Sequence, residues 1–226
     1  MKDPRLCVLV MCATAVANAL PSPIGGQGIP LATDTFVVSY GGSIIGHGIT
    51  ARALVEAQLI QVYTWRSGGS PDIVDSLFSD RETLQSLREV RLVGDTVIVA
   101  TYTPDSIVIE TRASNGPDRR TAVASGGAYY SSAALEALVT DAALAPGSPT
   151  VVRLYYAPPS AIGFHEANLR VVRSERIAAR EGPQRNAWVV TAGTAGGVTT
   201  FWIDKATRTV LKYDTREGRA LIEFRR

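Results

Sequence analysis

The sequence predicts a mainly β fold with minor α, a strongly curved antiparallel sheet or half-barrel with one or two helices on its concave side. Short segments rich in Val, Ile, Thr and Tyr recur along most of the chain, and Gly, Pro, Asp or Ser bounds most of them. No β-α-β alternation interrupts the series, and only one stretch has a clean helical period. A chain of 226 residues suffices for one large β domain with a substantial core.

The first residues have a different character. Lys2 and Arg5 precede an apolar run from Leu6 to about Val16, and Ala17-Asn18-Ala19 follows. This is the order of a secretory signal, predicted as residues 1–19, and the apolar run is shorter than the roughly 20 residues a spanning helix needs. Residues 20–33 are rich in Pro and Gly and read as a flexible lead-in, which leaves residues 34–226 as a single curved β domain. Cys7 and Cys12 both fall within the signal, and Met11 stands where a lipidated cysteine would need a small neighbour. The chain left after its removal would have no disulfide, thiolate metal site or cysteine nucleophile. Removing Lys2, Asp3 and Arg5 from 23 basic and 21 acidic residues leaves a net charge of +1. With no basic block and no second apolar span, neither a nucleic-acid partner nor an integral membrane segment is expected.

The strand candidates run TFVVSY, a long stretch from Ile49 to Trp65, VRLV, TVIVATY, SIVIETRA, TVVRLYY, LRVVRSERI, AWVVTA, VTTFWID, TVLKYD and ALIEF. Alternation such as Ile107, Ile109 and Thr111 against Val108, Glu110 and Arg112 suits a sheet with one protected face. The helix candidate is Ser131 to Leu144, with a serine cap, Glu136 near the positive end of its dipole, and an apolar stripe of Leu135, Leu138, Val139 and Ala142. The sequence also offers a second, shorter helix candidate around Pro71 to Phe78 and Arg81 to Leu87. Near the end, TTFWIDKATRTVLKYD reads as a hairpin. Phe201 and Ile203 face one way and Trp202 the other, Leu211 and Tyr213 share a face, Asp204 accepts a turn N–H, and Lys205 and Arg208 keep the tip wet.

Catalytic signatures are sparse. His165-Glu166 resembles the start of a helical zinc-protease motif, but Leu169 occupies the place of the second imidazole, and the glycines around His47 suggest a bend. There is no G-x-S-x-G elbow and no S-x-x-K pair. Acidic pairs, Asp72 with Asp75 and Asp80 with Glu82, read as turn caps and solvated charges. Arg119-Arg120 and Arg225-Arg226 read as solvated loop or terminus, and the paired glycines as hairpin punctuation.

Several segments occur in an order that resembles the bacterial envelope family DUF3108: FVVSYGGSIIGHG, SDRETLQSLREVR, the helix ending in LAPG, AWVVTA and TFWIDKATRTVLKYD. In RVVRSERI, Ser174 stands where that pattern has glycine, which leaves the local bend open. The resemblance implies an uncharacterised secreted or periplasmic protein, similar in fold to the lipoprotein-carrier half-barrels that hold acyl chains in their concavity. It transfers no catalytic residue. The reading is a non-enzymatic envelope protein, without cofactor or metal, that binds a lipid or acyl chain between sheet and helix. Candidate lining residues are Tyr40, Tyr63, Trp65, Tyr102, Leu135, Leu138, Phe201 and Trp202. The alternative is a structural or assembly module with a filled core and an envelope protein partner; a hydrolase with a non-contiguous site ranks third.

Overall fold

A computed structural model describes residues 32–68, 71–141, 149–157, 162–178, 183–194, 197–217 and 220–225. The expected signal, most of the lead-in, and the helix end at 142–144 lie outside the described residues.

Among the described residues fifteen strands form one sheet: β1 (Thr33–Tyr40), β2 (Ser43–Val55), β3 (Gln58–Ser67), β4 (Ile73–Asp80), β5 (Ser86–Val93), β6 (Thr96–Tyr102), β7 (Ser106–Ala113), β8 (Arg119–Ala124), β9 (Tyr130–Ser131), β10 (Thr150–Tyr156), β11 (Gly163–Ala178), β12 (Gln184–Thr194), β13 (Gly197–Asp204), β14 (Val210–Glu217) and β15 (Ala220–Arg225). A 3-10 turn, Ser132–Ala134, leads into the one described α-helix, α1 (Leu135–Asp141). The spatial order is β8-β7-β6-β5-β4-β3-β2-β1-β15-β14-β13-β12-β11-β10-β9, so the β1–β15 pair joins two runs of sequence neighbours. All pairings are antiparallel except β9 with β10, and the end strands β8 and β9 do not pair with each other. Over the described residues the sheet is therefore large, mostly antiparallel and not closed.

Several expectations change on contact with the structure. Ile49 to Trp65 is not one strand: it turns at Glu56, whose φ of 54° is left-handed, and returns as β3. The helix suspected over residues 71–87 is instead the β4–β5 hairpin. Its polar residues, which hide the strand alternation, are structural: Arg91 Nε and Nη2 donate to the two Asp75 carboxylate oxygens at 2.6 Å each, directly across the register. Arg119 and Arg120 belong to the end strand β8, where charged side chains discourage further strand pairing.

His47 does not mark a bend either. It lies within β2, with Gly46 and Gly48 buried on either side of it. A Cβ on Gly46 would strike the Arg66 carbonyl and approach the Trp65 ring, and one on Gly48 would meet the Tyr63 ring at 3.0–3.4 Å. These glycines let the two aromatic rings lie against the β2 backbone. At Ser174, where glycine was anticipated, β11 takes up its irregularity with a register shift between Val171 and Arg173.

The main core joins strands far apart in the sheet order. Leu59 and Leu77 from β3 and β4 cluster with Leu154, Leu169, Val190, Phe201 and Ile203 from β10 to β13, together with Ala137, Leu138 and Val139 of α1. A second cluster places Ala100, Tyr102 and Ile107 of β6 and β7 with Tyr129 and Tyr155. The adjacent residues Leu154 and Tyr155 are both fully buried, one in each cluster, so β10 is covered on both faces.

Candidate functional site

Between the strands and the helical segment lies a cavity of about 740 Å³. One wall is the period-two face of β3, β4 and β5, which presents Gln61 and Tyr63, then Asp75 and Leu77, then Glu89 and Arg91. A second is built by Phe201, Tyr213 and Phe224, successive cross-strand partners on β13, β14 and β15. Tyr213 stacks on Phe224 with centroids 4.0 Å apart and on Phe201 at 5.5 Å. Ser132, Ala133, Leu135 and Glu136 supply the helical wall.

The helical segment is fixed at its start by Ser131. The Ser131 hydroxyl accepts from the Ala133 N–H at 3.1 Å and donates to Glu89 at 2.5 Å, while its own N–H donates to the Ser86 hydroxyl at 2.8 Å. Ser131 is thus the serine that caps the segment. Glu89 also accepts from the Tyr102 hydroxyl at 2.7 Å. Glu136 forms an ion pair with Arg52, whose side chain is 2% exposed. Buried charges held this way organise the interior at a desolvation cost.

The same interior disfavours ionised phenols. Burial pushes Tyr63 up to about 12, against a hydrogen bond from Tyr213 that lowers it, and burial raises Tyr213 further, with the Tyr63 and Glu136 charges adding to it. Burial, then the Glu89 carboxylate, hold Tyr102 far above its ordinary value. The cavity therefore presents neutral hydroxyls, paired charges and aromatic faces at neutral pH.

Of the lining candidates read from sequence, Tyr63, Leu135 and Phe201 meet in this cavity. Trp65 shares the face of Tyr63 two residues along and packs on Phe224 with centroids 6.5 Å apart. Leu138 is buried in the main core and Tyr102 in the second, behind Glu89. Tyr40 is 51% exposed at the end of β1. Trp202 faces the other way, against Ala187, Val189 and Leu211, with Lys212 4.3 Å over its ring and its indole N–H donating to Glu175. Tyr213, Phe224, Gln61 and His165 were not anticipated as lining residues; the Tyr156 ring stands edge-on to His165 at 5.1 Å. The alternation of KYD and IEF around Tyr213 and Phe224 was a usable signal, but strand order across the sheet is not readable from period alone.

The C-terminal hairpin keeps its expected turn. Asp204 accepts from the Ala206 and Thr207 N–H groups at 2.7 and 3.2 Å. Just before the turn, a register shift between Trp202 and Ile203 sets Leu211 on the Trp202 side, whereas Val210 and Tyr213 join the interior, so Leu211 and Tyr213 do not share a face. Arg208 does more than wet the tip: it is half-buried and donates to the Thr140 carbonyl of α1 at 3.0 Å.

An open, mostly antiparallel sheet with a helical segment packed in its main core defines a β-barrel-like class of fold. The crystal structure of a β-barrel-like protein of the domain of unknown function DUF1849 from Brucella abortus is similar to this chain, with a TM-score of 0.57 and 10% sequence identity, over 85% of this chain and 94% of that one. At that identity the likeness is one of fold. No family model matches the sequence, and no curated protein matches it. The structural neighbour carries a different family name from DUF3108, so the shared ground is a β-barrel-like fold of unknown function. Among the described residues no group of three or more His, Cys, Asp and Glu side chains is placed to hold a metal ion, and no helix is long and apolar enough to cross a membrane.

Proposed function

We propose that the protein is a non-enzymatic, exported envelope protein whose sheet curls around the helical segment and holds a lipid or acyl chain in the cavity between them. The cavity itself carries this reading. Its volume of about 740 Å³ falls within the roughly 300–1,000 Å³ of small-molecule pockets, and its walls combine Phe201, Phe224, Leu77 and Leu135 with a few polar groups. Curling is favoured because β6–β7 and β10, well separated in the sheet order, share one cluster. Placement of the helix on the concave side follows from the same reasoning, since α1 packs against residues of both sheet halves. Export rests on the N-terminal sequence pattern.

A second reading, an assembly module acting through its outer surface, is favoured by the groove on the Trp202 side, where Ile44 and Ile177 flank Trp202 and Leu211. The two readings separate on one experiment. The secreted chain is examined by native mass spectrometry, solvent extraction and displacement of a neutral fluorescent apolar dye. Ligand binding requires co-purified lipid or a displaceable dye, with dye binding reduced at least about tenfold by Leu135→Trp, which fills the cavity. An apo mass together with absence of dye binding would leave the assembly module.

A further inference from the structure

Three carboxylates face the cavity, those of Asp75, Glu89 and Glu136. The cations near them are already engaged: Arg91 is held bidentate by Asp75, and Arg52 is paired with Glu136. Glu89 is satisfied by two neutral hydroxyls, those of Tyr102 and Ser131. Against this charge balance stand two buried wall atoms outside the Arg52–Glu136 ion pair that lack a hydrogen-bond partner, Thr50 Oγ1 and Gln61 Oε1. Thr50 is 4% and Gln61 7% exposed. In the β2–β3 register Thr50 lies opposite Tyr63 and Gln61 opposite Arg52, which makes Thr50 and Gln61 diagonal neighbours on one face, roughly 7–8 Å apart or somewhat less between side chains.

That pair of atoms has a definite chemistry. A hydroxyl can give or take a hydrogen bond, whereas an amide oxygen only accepts. A head group bearing two neighbouring hydroxyls can accept from Thr50 through one and donate to Gln61 through the other. A carboxylate can accept from Thr50 but sets its own lone pairs against the Gln61 oxygen, and of the three acidic side chains only Asp75 and Glu136 are offset by an arginine. A buried, uncompensated charge is costly, and a buried acceptor left without its donor is also costly.

We propose that the cavity selects an uncharged, hydroxyl-bearing acyl amphiphile, with its head on Thr50 and Gln61 and its chain along Phe201, Tyr213 and Phe224, and discriminates against the free fatty acid. This rests on the cavity being a ligand site. Arg216, exposed in β14 and also part of the wall, is the group that an anionic head at the rim would use instead.

The test is dye displacement from the full exported chain by three ligands of one chain length: a 1-monoacylglycerol, the fatty acid and the alkylamine. The monoacylglycerol is expected to bind at least about tenfold more tightly than either charged ligand. Thr50→Val and Gln61→Leu should each bring the monoacylglycerol-to-fatty-acid affinity ratio towards one, a readout in which a shared loss of folded protein cancels. A fatty acid that binds as tightly as the monoacylglycerol, and is weakened by Arg216→Gln, overturns the head-group assignment while leaving the cavity as a ligand site. A preference for the alkylamine overturns it as well. Failure of all three ligands and of the dye contradicts the underlying site and the assignment together.

Discussion

At the scale of single residues, two buried tyrosines make opposite demands. The Tyr102 hydroxyl donates to Glu89, but the Tyr155 hydroxyl is buried with no hydrogen-bond partner. Removing a donor from a buried carboxylate is destabilising, whereas removing an unsatisfied hydroxyl is neutral or stabilising. Tyr102→Phe should therefore lower stability by about 1–3 kcal/mol, and Tyr155→Phe should leave it unchanged or raise it by about 1 kcal/mol, as read from urea midpoints. Equal losses in both would refute the assigned partners. Titration adds a second expectation. Six tyrosines, at positions 63, 102, 129, 155, 156 and 213, have phenols raised chiefly by burial. For a group whose folded value exceeds its unfolded value near 10, the stabilisation is complete below pH 10 and is lost as pH rises towards the folded value, about 12 for Tyr63. Absorbance at 295 nm should show only part of the tyrosine titration while the protein is folded, with the rest accompanying unfolding at higher pH. A full reversible transition centred near pH 10 would be inconsistent with the buried interior.

At the scale of elements, the molecule uses one turn twice. In the β4–β5 hairpin Asp80 accepts from the Glu82 and Thr83 N–H groups, and in the β13–β14 hairpin Asp204 accepts from those of Ala206 and Thr207. In both, the residue four beyond the aspartate donates its N–H to the aspartate carbonyl at 2.9 Å and has a left-handed φ, 58° at Leu84 and 59° at Arg208. Both hairpins also carry a register shift just before the turn. This D-x-x-T repeat was legible in SDRETL and IDKATR, and comparison of the two would have converted the suspected helix over 81–87 into a hairpin. The bulge that turns Leu211 away from Tyr213 was not legible, because an extra residue leaves no mark on composition. Leu84 enters the main core with α1, and Arg208 holds the Thr140 carbonyl of α1. Arg208→Ala should cost about 1 kcal/mol and increase amide exchange at the helix end, whereas Lys205→Ala, exposed at the same turn, should change neither measurably. Equal responses would remove Arg208 as an anchor of the helix.

For the whole molecule, the mainly β character and a helical element within the expected Ser131 to Leu144, described over Ser132–Asp141, were readable, because hairpin neighbours are local with a period of two and the helical stripe is local with a period near 3.6. The 3-10 start of that segment and the meeting of β6–β7 with β10 were not, since they depend on contacts between distant strands. The cavity belongs to the second kind: its walls come from β3–β5, β13–β15 and the helical segment, and only Tyr63, Leu135 and Phe201 among the sequence-derived candidates line it. Tryptophan positions provide a direct test of where a chain is held. Trp65 packs on Phe224 of the cavity wall, whereas Trp202 lies in the cluster on the other side of the sheet. In single-tryptophan variants made by Trp→Phe substitution, a monoacylglycerol brominated along its chain should quench Trp65 fluorescence saturably and leave Trp202 unaffected. Saturable quenching of Trp202 with Trp65 unaffected, or of neither, would contradict an acyl-binding cavity between sheet and helix.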